Sequence, residues 1–174
     1  MDYVTKSTNR KELRLLAKLF RSIMGLSQTE RIDPIALLDR LPDIESFSDV
    51  TYEVVDDKDL PHNVPAECIK TENGYHIRIK ESVYNKAYKE NNGACRMHIL
   101  HEIMHPYADK VGFQPIFTRV VYKKIPPYKS LEWIVMALAG EVMMPYEATE
   151  NMTVPEIIDT YGVSVPAAMK RKKY

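Results

Sequence analysis

The stretch Ser130 to Pro145, SLEWIVMALAGEVMMP, sets the strongest limit on how this chain can fold. Ser130 suits an N-cap and Pro145 a terminator, so the stretch reads as one helix. Leu131, Trp133, Ile134, Val135, Met136, Ala137, Leu138, Ala139, Val142, Met143 and Met144 make it apolar almost all the way round. Such a helix has no face suited to water, so the rest of the chain must wrap it. Its only ionisable side chains, Glu132 and Glu141, are nine residues apart, about 180° on a helical wheel, and cannot share one partner. A buried carboxylate is costly unless it is paired or bound to a metal. Each glutamate therefore needs a partner of its own.

A place for one of them lies upstream, in Arg96-Met97-His98-Ile99-Leu100-His101-Glu102-Ile103-Met104-His105, which contains HEIMH, an HExxH string. On a helix the four-residue step from His101 to His105 closes to within about 40°, so both imidazoles project from one face and can bind a single ion. Neutral imidazoles suit zinc. Glu102 sits about 100° further round, too far to join them as a ligand but close enough to take a proton from a water on the ion. On the wheel from Ala94 to His105 the polar residues share one arc, and Cys95, Met97, Ile99, Leu100, Ile103 and Met104 occupy the other side. The helix is thus expected to be buried on its apolar side and to line a cleft with the other. His98 lies about 10 Å of helix rise from His105, too far for one tetrahedral ion, and reads as a hydrogen-bonded or core histidine. Pro106 is expected to stop or bend the helix just after the second ligand. Glu132, Glu141 and Asp109 are the candidates for a third ligand.

The remaining segments supply an α+β frame. Leu13, Leu16, Ala17, Phe20, Ile23 and Met24 recur at three- and four-residue steps from Asn9 to Met24, an amphipathic helix stopped by Gly25. Asp33-Pro34 opens a short helix to Leu41, closed by Pro42. Three β-prone segments follow, Thr51 to Val55, Val64 to Lys70 and Tyr75 to Lys80, the last two joined by the turn Glu72-Asn73-Gly74. Ser82 to Glu90 reads as a helix, and the proline-punctuated stretch after His105 as a long loop forming a cleft wall. The 174 residues suit one domain, with N-terminal helices at 9–41, a sheet and HExxH core at about 50–146 and a helical C-terminal segment at 147–174. A formal net charge of zero gives no reason to expect nucleic acid, so the Lys170-Arg171-Lys172-Lys173 run reads as a solvated tail. No targeting segment or membrane-length apolar run is visible, and Cys68 and Cys95 form no CxxC, which together suggest a cytoplasmic protein with reduced thiols.

HEIMH on one helix, followed by a helix with a Glu-Trp pair and an AGEVMMP ending, resembles the ImmA/IrrE family of zinc-dependent metallopeptidases, whose pattern runs HELGH, then ExEANxFAAELLMP. Arg96 ahead of the HExxH and the closing YGVSVPAAMKR, similar to the family's FGVSxxAxxxRL, extend the resemblance from about Asp33 to the end. Met104, Pro106 and Val135-Met136 depart from the pattern. The resemblance implies a zincin-like fold, zinc on His101, His105 and Glu132, and Glu102 as the catalytic base. It further implies cleavage of a cytoplasmic protein, such as a helix-turn-helix repressor of a mobile element. A metal-binding, toxin-like regulator acting on an antitoxin or other partner is the alternative. Glu141 is expected to make a structural pairing, with Arg96 or a backbone amide as partner. Tyr107, Tyr122 and Tyr128 are candidates for stabilising an oxyanion.

Overall fold

The computed structural model describes residues 2–116 and 124–174 and contains, among them, eight helices and three strands, the apolar stretch forming one of the helices. The first helix, α1 (Arg10–Ile23), starts where the Asn9 side chain accepts the Glu12 N–H. Helix α2 (Pro34–Arg40) is capped by Asp33 and continues into a tight turn over Leu41–Asp43, so Pro42 narrows the helix before ending it. The strands are β1 (Val50–Val55), β2 (Ala66–Thr71) and β3 (Gly74–Lys80). β2 and β3 form the hairpin expected from Glu72-Asn73, and β3 takes the middle of the sheet because β1 pairs with it in parallel. That leaves one edge of β2 unpaired within the sheet.

Helices α3 (Glu81–Lys89) and α4 (Gly93–Lys110) follow, then α5 (Leu131–Met143), α6 (Tyr146–Thr149), α7 (Val154–Tyr161) and α8 (Val165–Lys173). α4 packs on α5, on the sheet and on α2 and α3, and α1 covers α5 from the other side. Ile99, Leu100, Ile103 and Met104 of α4 meet Ile134, Val135, Leu138 and Val142 of α5 in a single continuous core, all without solvent exposure. Each such side chain stabilises the fold by about 1.5–3 kcal/mol relative to leaving it in water. Among the described residues no helix is long and apolar enough to cross a membrane.

Pro106 does not end α4 as the sequence suggested; it lies inside the helix, which runs one further turn to Lys110. Its ring removes one backbone donor, but the turn beyond it is held by packing. Tyr107 is buried against Phe20 and Phe47 at ring separations of 5.1 and 6.2 Å, and its hydroxyl donates to Leu16 O at 2.7 Å. The stop comes at Gly112, whose φ of 91° is open to glycine and strained for other residues.

The C-terminal basic run forms the end of α8, where Lys170, Lys172 and Lys173 are exposed as expected and Arg171 is not: it is buried, donating to Glu141 Oε2 at 2.7 Å. Glu141 therefore finds its structural partner in Arg171, with Arg10 and Arg14 each at 3.6 Å, and not in Arg96. Arg96 turns instead to backbone, donating to Tyr161 O, Gly162 O and Ile32 O. It thereby ties α4 to the Tyr161-Gly162 turn between α7 and α8. Burial, with Arg31 nearby, lowers its pKa to about 10, so it is still charged at neutral pH.

Candidate metal centre

His101, Glu102 and His105 stand on the α4 arc that faces away from the core, just below the unpaired edge of β2. The rings of His101 and His105 lie 4.9 Å apart at 87°, and their Nε2 atoms face each other at 3.2 Å. Glu132 comes from the first turn of α5. Its Oε2 sits 3.3 Å from His101 Nε2 and 3.9 Å from His105 Nε2. A tetrahedral zinc with bonds of about 2.0–2.2 Å requires its ligand atoms about 3.3–3.5 Å from one another. The three separations bracket that value, so the trio fits the ion in spacing and donor type. Glu102 Oε2 stands 4.0 Å from His105 Nε2, beside the trio. Neither Asp109 nor Glu141 joins the cluster: Asp109 Oδ2 is held by Lys70 at 2.5 Å and by the Tyr75 hydroxyl, and Glu141 is on the far side of α5.

The electrostatics separate the two site carboxylates. Glu132, nearly half exposed, is drawn below the usual carboxylate range by its hydrogen bond to His101 and by the His105 ring. Glu102 is only 8 % exposed, and burial pushes its pKa up to about 7, with Glu132 adding to the rise and His101 and the Cys68 backbone N–H opposing it. Burial and the neighbouring His101 lower the pKa of His105, which keeps that ring neutral, the form that ligates. His101 Nδ1 is buried without a hydrogen-bond partner among the described residues, so this ring lacks the outer bond that commonly orients a metal-bound imidazole.

A cleft of about 770 Å³ opens over these residues, walled by β2 from Ala66 to Lys70 and by Tyr3, Tyr75, Asp109, Phe113 and Pro115. The sequence did not point to several of these. Tyr107 is a core residue, Tyr128 is exposed outside the cleft wall, and Tyr122 lies outside the described residues. Among the described residues, Tyr3 and Tyr75 are the tyrosines that reach the cleft. Asp109, a third-ligand candidate from its place four residues beyond His105, is carried on the same helix through Pro106 and lines the cleft instead. His98 is exposed, not core, makes no hydrogen bond among the described residues, and lines a neighbouring cavity with Lys80 and Ser82. Cys68 and Cys95 are free thiols, and burial raises the pKa of both.

The N-terminal segment also serves the site, without any periodic signal to announce it. Asp2 accepts from Ser130 Oγ at 2.8 Å and from the Glu132 N–H at 3.2 Å, while Tyr3 O accepts from the Leu131 N–H at 2.9 Å. Ser130 Oγ in turn caps the Trp133 N–H at 3.0 Å. The first turn of α5, and with it Glu132, is thus pinned from two sides. No protein-family model matches the chain, and no curated protein matches its sequence.

Proposed function

We propose that this protein is a zinc-dependent endopeptidase of the ImmA/IrrE type with a zincin-like active site. The observation that carries the reading is the convergence of His101, His105 and Glu132 within ion-binding distance, with the buried Glu102 carboxyl alongside, under the free edge of a strand. When bound, the ion would supply Lewis-acid polarisation of a water and of the peptide carbonyl. Glu102 takes the proton that the attacking water gives up and passes it to the leaving amine as the carbon–nitrogen bond breaks. Without metal, burial raises the pKa of this carboxyl to about 7, and a cation bound beside it would favour the carboxylate, the form that accepts the proton. The unpaired edge of β2 offers backbone donors and acceptors to an extended segment of the target. By resemblance, that target is a cytoplasmic protein such as a helix-turn-helix repressor.

The test joins metal analysis to cleavage. Purified protein should bind one zinc per chain, His101→Ala should lose it, and Glu102→Gln should keep it. Against a proteome-derived peptide library followed by mass spectrometry, the zinc-loaded protein should cleave. Glu102→Gln should be slower by on the order of 10² or more. A zinc-loaded protein that cleaves nothing, yet forms a stable complex with an antitoxin-like partner encoded beside it, would replace the peptidase with the partner-binding reading.

A further inference from the structure

The first turn of α5 leaves the N–H groups of Leu131, Glu132 and Trp133 without partners inside the helix. Two of the three are met by the N-terminal segment. Tyr3 O accepts from Leu131 at 2.9 Å and Asp2 Oδ1 from Glu132 at 3.2 Å, while Ser130 Oγ takes the Trp133 N–H at 3.0 Å. Asp2 Oδ2 accepts the Ser130 hydroxyl hydrogen as well, at 2.8 Å, so one carboxylate holds both the cap and the turn. Its charge also suits the positive end of the helix. The same segment reaches the other metal-bearing helix. Val4 O accepts from the Ile116 N–H at 2.7 Å, and Lys6 donates to Val111 O, just past the end of α4, at 3.1 Å with its ammonium 4.4 Å from the centre of the Phe113 ring. Residues 2–6 are therefore a strap between the end of the helix that carries His101 and His105 and the start of the helix that carries Glu132. The two sides of the metal centre need it unequally. α4 is anchored by Ile99, Leu100, Ile103 and Met104, none of them solvent-exposed, whereas Glu132 stands on a terminal turn with its side chain 42 % exposed.

We infer that Asp2 is a positioning residue for the third metal ligand, and that docking of the strap and binding of the ion reinforce each other. A docked strap keeps the first turn of α5 helical, and with it the Glu132 carboxylate at 3.3 and 3.9 Å from the two imidazoles. An ion held by all three residues fixes Glu132 in return, and so favours the turn on which the strap docks. Such a coupling is reciprocal: whatever the strap adds to metal affinity, the metal adds to strap docking. Tyr3, carried on the strap, is also a wall of the cleft, so release of the strap widens the cleft and loosens the metal together. The inference rests on the metal assignment and is indifferent to which bond the protein cleaves.

Chelator competition for zinc on the folded, full-length protein gives the first arm of the test. Asp2→Ala should lower zinc affinity about tenfold or more, as when a group that orients a ligand is lost. Asp2→Asn, which retains an oxygen for the Glu132 N–H, should recover most of it. Thr8→Val removes a bond from the same segment to Glu12 on α1 and should leave the affinity unchanged. Cobalt-loaded Asp2→Ala should show altered visible bands, which report ligand geometry and which a general loss of stability leaves alone. Hydrogen exchange supplies the reverse arm: zinc should slow exchange of residues 2–6 in the parent and have no such effect in Glu132→Ala. Zinc held by Asp2→Ala as tightly as by the parent, an equal loss in Thr8→Val, or strap protection that ignores zinc would each overturn the inference and leave the metal centre standing. A parent that binds no zinc would remove the metal centre, and the inference with it.

Discussion

The two glutamates of α5 have the same side chain on the same helix and opposite circumstances. Glu141 is buried among permanent charges: Arg171 at 2.7 Å, with Arg10 and Arg14 at 3.6 Å. Glu132 is half open and faces two imidazoles that carry no fixed charge. Both are acids in an otherwise apolar helix, so their difference arises from what the rest of the chain brings to each. Guanidinium groups surround the first carboxylate, Arg171 bonding Oε2 and Arg10 and Arg14 facing Oε1 at 3.6 Å, and make it part of the framework. Imidazole rings, which ligate metals, leave the second with spare coordinating capacity, which a cation can use. A carboxylate satisfied by the fold is structural, and one left facing neutral donors is available for chemistry.

The hardest blow to this contrast should be Glu141→Ala. It strands Arg171 in the interior without its counter-charge, and loss of one partner of a buried pair costs about 3–5 kcal/mol. Urea unfolding of the metal-free protein should register that loss, while whatever protein remains folded binds one zinc per chain. Loss of zinc binding by the folded fraction would show that the two ends of α5 are not separate in function.

Glu102 provides a third carboxylate between these poles, buried yet without a guanidinium. Its pKa rises from an ordinary 4.5 to about 7 in the folded metal-free protein. The unfolded chain therefore releases its proton first as pH rises, so the Glu102 contribution alone falls by at most about 3 kcal/mol between about pH 4.5 and pH 7, while His105, with its pKa lowered to about 4, adds stability as pH rises through much of the same window. In Glu102→Gln the falling contribution should vanish and the rising one should remain, so the variant gains stability relative to the parent as pH rises. Urea melts of both proteins across this range, with chelator present, would measure it, and parallel curves would show that Glu102 is better solvated than its burial implies.

Glu132→Ala should act in the reverse sense to Glu141→Ala. Its stability without metal should stay within about 0.5 kcal/mol of the parent, as for a half-exposed side chain. Zinc affinity should fall more than about a hundredfold, exceeding the usual effect of losing an outer-shell partner. Competition with a chromogenic chelator reads this directly, and an unchanged affinity would make Glu102 the third ligand.

The smallest effect is expected from Ser130→Ala, which removes the α5 cap together with the hydroxyl that donates to Asp2. About 1 kcal/mol of stability should be lost. A larger drop in zinc affinity than in stability would show that the cap also sets the position of Glu132.

Much of this could be read from local pattern. The caps at Asn9, Asp33 and Ser130, the hairpin at Glu72-Asn73 and the shared face of His101 and His105 are interactions over one to four residues, which helix and strand geometry dictate regardless of context. Even the division of α5 into two opposed carboxylates follows from 3.6 residues per turn. Local pattern failed at Pro106, where the intrinsic cost of proline argued for a stop and the packing of Tyr107 against Phe20 and Phe47 carried the helix on. It failed again at Arg171, a member of a basic run by sequence and a buried partner of Glu141 in the fold. Only the tertiary structure decided which partner each glutamate meets, that Tyr75 and Tyr3 reach the cleft, and that Asp2 pins the turn carrying Glu132. Those contacts join residues from about 30 to 130 positions apart, and their geometry depends on which apolar faces pack together, a choice made by the whole core at once.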